Sequence, residues 1–527
     1  MRAFSDFWHW DEAALKTYHA LVTQSPLNVS KMIEALCNFI GRNDMTAYLV
    51  MMATRLIELH RVLKPTGCIY LHCDPTASHY LKVVMDTIFG AKNFRNEIPW
   101  RRSNAHNKLS RQYGPIHDTL LFYSKSENMV FHTPRRPHFK QYVEEMFRYQ
   151  DEHGRFRINE LTGSGIRYGH SGKPWRGYDP TPRGRHWAVS ARLLGEIGDT
   201  SLTSQDMLDE LDRRGLILHP KGPGGLPRYR QYLQDEDGVL LQDIWAYQPY
   251  SQGMLYGTKE GVDEDVKWLD AEEEKLGYQT QKPLGLLERI VRASSNPSDI
   301  VLDPFCGCGT AVVAAQKLGR QWIGIDVTHL AIAVMRKRLQ DSFPGLKFEV
   351  IGEPVDLEGA RALARQDRYQ FQWWALSLIG AMPVADDRKK GADKGIDGVT
   401  TFMDAHGGKS ARAIVQVKSG HVSSAQVRDL KGVMEREKAA IGIFITLEPP
   451  TRDMNTEAIA AGFHHSELWQ RDFRRLQIPT IEELLAGKGP DIPGLMSPYA
   501  QAQRVKPHEG QQLQLESRRG SKETLER

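Results

Sequence analysis

Between Asn43 and Leu63 apolar residues recur at helical spacing, at Tyr48, Leu49, Met52, Leu56, Leu59 and Leu63, which predicts an amphipathic helix. Lys64-Pro65-Thr66-Gly67 stops it. The apolar run Gly67–Cys73, G-C-I-Y-L-H-C, predicts a short buried strand. After it, D-P-T-A-S-H-Y-L-K-V-V-M reads as a helix capped by Asp74 or Thr76, with Pro75 near its first turn. Leu120–Phe122, inside H-D-T-L-L-F-Y-S-K, predicts another strand. Alternating elements of this kind belong to an α/β domain.

The pattern then changes. Residues 131–270 hold little apolar periodicity, many Gly and Pro, and basic residues interleaved with aromatics. Regular alternation resumes with a helix over 284–295, a strand over 300–303, a helix over 310–318, a strand over 321–326 and a helix over 329–340. That succession is a βαβ unit. A third region begins at about 350, with a strand over 411–418, a helix over 424–438, a strand over 441–446 and a last helix at Ile481–Leu485. The expected divisions are 1–130, 131–270, 271–345 and 350–490, then a tail over 491–527 that is polar and Gln-rich from residue 500 and expected to be disordered. No internal repeat stands out.

Composition narrows the class without naming it. A chain of 527 residues exceeds one ordinary core, so two or three domains are expected. Forty per cent hydrophobic and 25% charged residues fit soluble globular protein. The net charge of +4 and pI near 8.6 permit a nucleic-acid partner without demanding one. The five cysteines form no paired C-x-x-C framework, which argues against a zinc ribbon or disulfide scaffold and for reduced thiols. The start lacks the apolar core of a signal peptide, and no uncharged run approaches the roughly 18 residues that span a bilayer. A cytoplasmic protein is expected, with no membrane partner.

Residues 299–310 read D-I-V-L-D-P-F-C-G-C-G-T: a strand, a tight glycine turn and a helix start, as where a small molecule sits on the loop. A dinucleotide site would need G-x-G-x-x-G, and no third glycine is in register. The string resembles the D-P-F-x-G-x-G-T motif of the S-adenosylmethionine-dependent DNA amino-methyltransferases. On that resemblance Asp303, Phe305, Cys306, Gly307, Gly309 and Thr310 bind the cofactor. Asp303 pairs with its ammonium, and Asp326, at the end of the next strand, accepts from the ribose hydroxyls. Cys306 and Cys308 fill space rather than bind metal. Upstream, Q-T-Q-K-P-L-G-L-L-E-R-I-V resembles the segment before the family's cofactor loop, placing Gln281, Lys282 and Pro283 on the other side of the methionine moiety. L-K-P-T-G-C-I-Y-L-H-C-D-P-T-A-S-H-Y, N-F-R-N-E-I-P-W-R-R and H-D-T-L-L-F-Y-S-K also resemble family pieces. Their order, catalytic half before cofactor half, is that of the class called beta, and the resemblance covers roughly residues 1–345. The implied fold is α/β: a Rossmann-like methyltransferase sheet with an inserted recognition region, plus a smaller α/β restriction-endonuclease-like domain.

The family's catalytic tetrapeptide, D-P-P-Y or D-P-P-F, is absent. Its carboxylate and a proline carbonyl accept the hydrogens of the target amino group, and its ring stacks on a base flipped from the duplex. The lookalikes are Asp74–Thr76, Asp179–Thr181, Asp303–Phe305 and Glu448–Thr451. Asp74 is expected to be a helix cap instead of the catalytic acid. F-S-D-F-W-H-W-D at residues 4–11 resembles the family segment just downstream of the tetrapeptide, so the chain reads as beginning after the catalytic strand. Weak methylation, if any, is expected of it alone; a homodimer, or a partner that supplies the missing segment, is the expected assembly.

Residues 131–270 sit where the family inserts its target-recognition region. P-R-R-P-H-F-K, G-R-F-R, G-I-R-Y-G-H, K-P-W-R-G-Y and P-R-G-R-H-W offer arginines for phosphates and guanine edges and aromatics for stacking on bases of double-stranded DNA. Near the C-terminus, G-I-D-G and then a strand ending in Q-V-K resemble the core of Mrr-type restriction endonucleases. The candidates are Asp397, Gln416 and Lys418, with Gln416 and Lys418 on one strand face because they are two apart. On this resemblance Asp397 and Gln416 hold Mg2+ and Lys418 activates or orients the attacking water, with Asp393 a weaker extra ligand. The combined expectation is a site-specific DNA methyltransferase, adenine N6 favoured over cytosine N4, fused to a nuclease. The rival is an impaired methyltransferase fragment acting as a DNA-binding protein or nuclease.

Overall fold

The computed structural model describes residues 8–104, 111–189, 202–222, 224–234, 238–269, 274–276, 278, 280–384, 395–404, 410–493 and 495–496. They divide into two compact units, Thr133–Glu264 and the remainder on either side of it in sequence. Among them no helix is long and apolar enough to cross a membrane.

The first unit opens with three helices, α1 (Glu12–Gln24), α2 (Leu27–Ile40) and α3 (Asp44–Val62). In α3 a capping box joins Asn43 and Thr46, and the apolar stripe buries Leu49, Met52 and Leu56. α1 and α2 were not foreseen, although α2 buries Val29, Ile33 and Leu36 at the same spacing. Strand β1 (Cys68–Cys73) leads to α4 (Pro75–Met85), then β2 (Phe94–Arg101) and β3 (His117–Ser124). These strands make an antiparallel sheet ordered β1-β3-β2. Apolar neighbours cover β3 on both faces, and it extends beyond the predicted 120–122 because its polar ends also pair. β2 escaped notice because Arg95, Asn96 and Glu97 interrupt its apolar positions.

The second unit carries α5 (Lys140–Met146), α6 (Ser204–Arg213) and a sheet of β4 (Tyr149–Asp151), β5 (Gly154–Glu160), β6 (Ile217–Leu218) and β7 (Arg228–Tyr232), ordered β4-β5-β7-β6. Its core holds Leu161, Trp175, Trp187, Leu208, Leu211 and Tyr229.

The first unit resumes with α7 (Leu284–Ser294), β8 (Ile300–Asp303), α8 (Thr310–Lys317), β9 (Gln321–Gly324) and α9 (His329–Ser342). β8 and β9 pair in parallel as a two-stranded sheet, so the strands of the two halves lie in separate sheets. After α10 (Leu357–Gln366) and α11 (Arg368–Leu378) come β10 (Met382–Pro383), β11 (Gly398–Met403), β12 (Ser410–Lys418), α12 (Ser424–Arg436), β13 (Ile441–Thr446) and α13 (Arg452–Ile459). The hairpin β14 (Phe463–Ser466) and β15 (Arg471–Arg474), then β16 (Leu476–Gln477), α14 (Ile481–Leu485) and β17 (Leu495–Met496), complete the region. One sheet runs β10-β11-β12-β13-β16, and β17, inside the stretch expected to be tail, pairs with β11. α10, α11 and α14 cover one face, while α12 and α13 cover the other. From residue 497 the expected tail lies outside the described residues.

Candidate functional site

The loop after β8 is shaped by its glycines. Gly307 and Gly309 have φ of +50° and +75°, the left-handed region where a side chain is strained. A Cβ on Gly309 would lie 2.5 Å from Met335 Cγ. Gly309 N donates to Cys306 O at 2.7 Å, closing the turn, and α8 starts immediately after it. Gly307 N donates to Asp326 Oδ2 at 3.0 Å, and Thr328 N and Oγ1 each donate to Asp326 Oδ1 at 2.9 Å. Asp326 thus ties the loop to the start of α9.

Among the described residues the Asp303 carboxylate accepts one hydrogen bond, from Phe305 N at 3.1 Å. Burial pushes its carboxyl above the ordinary aspartate range; the Phe305 N–H opposes the rise and neighbouring Asp326 adds to it. A half-buried acid with spare acceptor capacity beside a second acid is suited to a cation. Phe305 is half-exposed, its ring open to a flat partner. Cys306 and Cys308 are buried and their thiols raised, first of all by burial, so they pack as protonated groups. Arg338, also buried, donates to Thr310 Oγ1 at 3.0 Å. Gln281 braces the preceding loop, with Oε1 accepting from Leu276 N and Nε2 donating to Glu274 O. Pro283 stands at the head of α7. Lys282 Nζ donates to Thr280 O, and its charge acts on Cys308 and, at the other sheet, on His72 and Asp118.

His72 and Asp118 form a cluster that the motif reading missed. Nε2 of His72 lies 2.9 Å from Asp118 Oδ2, and Arg102 Nε 3.1 Å from Oδ1. Burial lowers the His72 pKa, against the pull of Asp118. Burial also works to raise the Asp118 carboxyl, but His72, Arg102 and Lys282 outweigh it and hold it low. Both shifts favour a neutral imidazole beside an ionised carboxylate. The available signal was a His and an Asp on two strands already noted as family-like. Asp74 is the cap of α4, accepting from Thr76 N and Ala77 N.

In the third region Asp397 N donates to Val415 O at 2.9 Å and Asp397 Oδ2 accepts from Val417 N at 2.7 Å, so Asp397 lies across from Gln416. Gln416 Oε1 is buried without a hydrogen-bond partner among the described residues. Lys418 ends β12 opposite Thr446. Asp393 lies outside the described residues, among which no cluster of three or more His, Cys, Asp or Glu is set to hold a metal. In the inserted unit, Trp175 and Trp187 are core residues, whereas Tyr168 is fully exposed. The tryptophans of K-P-W-R-G-Y and P-R-G-R-H-W are therefore spent on packing.

A strand, a glycine-shaped turn and a helix, with an acid after the next strand, define an α/β protein built to hold a nucleoside-bearing cofactor. Residues 18–336 match the family described as DNA methylase, and the chain belongs to that family. Residues 363–473 match the Mrr-type family described as restriction endonuclease, so an amino-methyltransferase region is fused to an Mrr-like domain. The chain is 31% identical over 295 residues to the Type II methyltransferase M.EcaI of Enterobacter cloacae, spanning 55% of this chain and 57% of that protein. It is 26% identical over 284 residues to the StyLTI Mod subunit of a Type III restriction-modification enzyme of Salmonella typhimurium, spanning 53% of this chain and 40% of that protein. It thus spans about half the length of these curated relatives. Among solved structures, M1.HpyAVI in complex with SAM aligns with TM-score 0.25 and 17% identity over 55% of this chain and 82% of that one. PvuII DNA methyltransferase (cytosine-N4-specific) aligns with TM-score 0.27 and 11% identity over 59% and 74%.

Proposed function

We propose that the chain binds S-adenosylmethionine on the β8–α8 loop and serves amino-methylation of double-stranded DNA, at adenine N6 ahead of cytosine N4, beside a magnesium-dependent nuclease site at Asp397, Gln416 and Lys418. The observation that carries the first part is the loop itself: an Asp303 carboxylate with one hydrogen bond among the described residues, and Asp326 held by Gly307 and Thr328. The cofactor fits. Asp303 takes its ammonium, Gly307 and Gly309 let the backbone come close, Asp326 meets the ribose and Phe305 lies against a flat face. Lys282 and Pro283 flank the methionine end, with Gln281 fixing their loop. When bound, S-adenosylmethionine supplies the methyl group. The inserted region, expected over 131–270, supplies DNA contacts through its arginines.

Magnesium also fits its site, since Gln416 Oε1 is a buried oxygen in want of a partner and stands across from an aspartate. The cation would polarise a phosphate there, and Lys418 would orient the water.

A second reading has a specific observation behind it. No D-P-P-aromatic occurs in the 527 residues, and among the described residues β1 pairs with β3 alone and β8 with β9 alone. Lys64 Nζ, shortly before β1, lies 3.7 Å from Asp299 Oδ1, just before β8, so the two strands begin near each other. On this reading an extended segment carrying the tetrapeptide, from a longer form of the chain or from a partner of different sequence, completes the enzyme. Transfer of labelled methyl from the cofactor to DNA decides. The chain alone should give little, and adding a peptide that ends in D-P-P-F should raise it. Full turnover by the chain alone would refute the need for the segment.

A further inference from the structure

The amides in the first turn of a helix have no partner within the helix. In α9 the first of them, His329 N, donates instead to Gln370 Oε1 at 3.2 Å, a side chain on α11 of the endonuclease-like region. The residue before it is Thr328, which is buried and whose N and Oγ1 both hold Asp326 Oδ1. Asp326 Oδ2 in turn takes Gly307 N. An unbroken run of bonded groups therefore leads from the cofactor loop to Gln370. Apolar contact doubles the link: Trp373 of α11 packs against Tyr278, Cys308, Leu330 and Val334, the layer beneath the loop. The opposite side of α11 is locked into the nuclease-like sheet, where Phe371, Trp374 and Leu376 share a core with Val415 and Ile443.

We propose that Gln370 is a positioning residue of the cofactor site: by holding the first amide of α9, next to its N-cap Thr328, it sets the orientation of Asp326 toward the ribose. The inference rests on the reading of the β8–α8 loop as an S-adenosylmethionine site. It makes the endonuclease-like region a working part of that site and not an appendage, because the Gln370 side chain is pinned by the core of that region.

The test uses the full chain and S-adenosylhomocysteine, with binding measured by calorimetry. One neutral hydrogen bond acting through a neighbour is expected to change affinity about 3- to 10-fold, and Gln370→Ala should lose that much. Gln370→Glu, which keeps an acceptor at a helix N-terminus, should restore it. A general loosening of the fold would lower affinity for any nucleoside alike, so adenosine and 2′,3′-dideoxyadenosine are compared as competitors. In Gln370→Ala the preference for adenosine should shrink, because the lost orientation concerns the ribose hydroxyls. Equal losses for both nucleosides, or no loss of S-adenosylhomocysteine affinity while Asp326→Asn abolishes binding, would overturn the role of Gln370 and leave the cofactor reading standing. Failure of the unaltered chain to bind S-adenosylhomocysteine would overturn both.

Discussion

The two sheets of the first unit that contain parallel strands make a sharp contrast. In the endonuclease-like sheet, every residue of β13 is buried, with helices on both faces. In the cofactor half, β8 and β9 have α8 and α9 against the face that carries Trp322, yet on the other face Ile300, Ile323 and Ile325 are 52%, 50% and 51% exposed. Parallel sheets are ordinarily covered on both sides. The endonuclease-like sheet is a finished layer structure, and the cofactor sheet is half of one. Its glycine loop is nonetheless fully formed: glycine conformations, acid–amide bonds and the packing on one face suffice to shape it.

The largest expected effect lies in the finished sheet. Ile443, fully buried in β13, should cost about 2–5 kcal/mol when changed to Ala, through lost burial and the cavity left behind. Denaturant unfolding of that region would register it, and a loss under about 1 kcal/mol would mean the sheet is less well packed than its burial indicates. Next comes chemistry on the same sheet. Lys418→Ala should leave unfolding unchanged and slow magnesium-dependent DNA cleavage by about 10²-fold or more. A variant that cuts as fast as the unaltered chain would remove Lys418 from the site.

How much of this was legible obeys the same divide. The β8–α8 loop was readable because its determinants are local: Asp303, Gly307 and Gly309 fall within a few residues, and the positive φ values there are what glycines are for. Asp397, Gln416 and Lys418 were readable as candidates through a short motif, but their placement across two strands depends on register, which only the fold reveals. Out of reach were contacts whose partners lie far apart in sequence. His72 with Asp118, and His329 with Gln370, carry no periodic signal, since each member alone looks like an ordinary polar residue. The aromatics of the inserted unit misled for a related reason. Next to arginines Trp175 and Trp187 look like base-stacking groups, and tertiary burial turned them into core.

A smaller effect tests the formed loop within the unfinished sheet. Because burial holds the Asp303 pKa above its unfolded value, the folded state loses stability as pH rises from the ordinary aspartate range through that raised value. Asp303→Asn removes this slope, so the free variant should melt higher than the unaltered chain at neutral pH. It should also bind S-adenosylmethionine about 10-fold or more weakly, since it no longer offers a charged partner to the ammonium. Melting curves from acid to neutral pH and a binding isotherm check the two halves. A variant that melts lower and binds equally well would show that Asp303 serves the fold and not the ligand.

The smallest effect is the most direct measure of the contrast. Ile323 stands on the bare face of β9, opposite in kind to Ile443 although both are isoleucines in the middle of parallel strands. Thr keeps the branched shape that strands favour and exchanges the ethyl arm for a hydroxyl, so at a solvated site the change should stay within about 0.5 kcal/mol. Ile323→Thr is therefore expected to melt with the unaltered chain in solution. A fall comparable to that of Ile443→Ala would show that something covers this face in solution, and the sheet would then be complete after all. With the face bare in the free chain, the same substitution becomes informative when a complementing segment is added. A segment that only pairs along the strand edge would tolerate threonine, whereas one that also layers its side chains on the face would bind the variant less tightly.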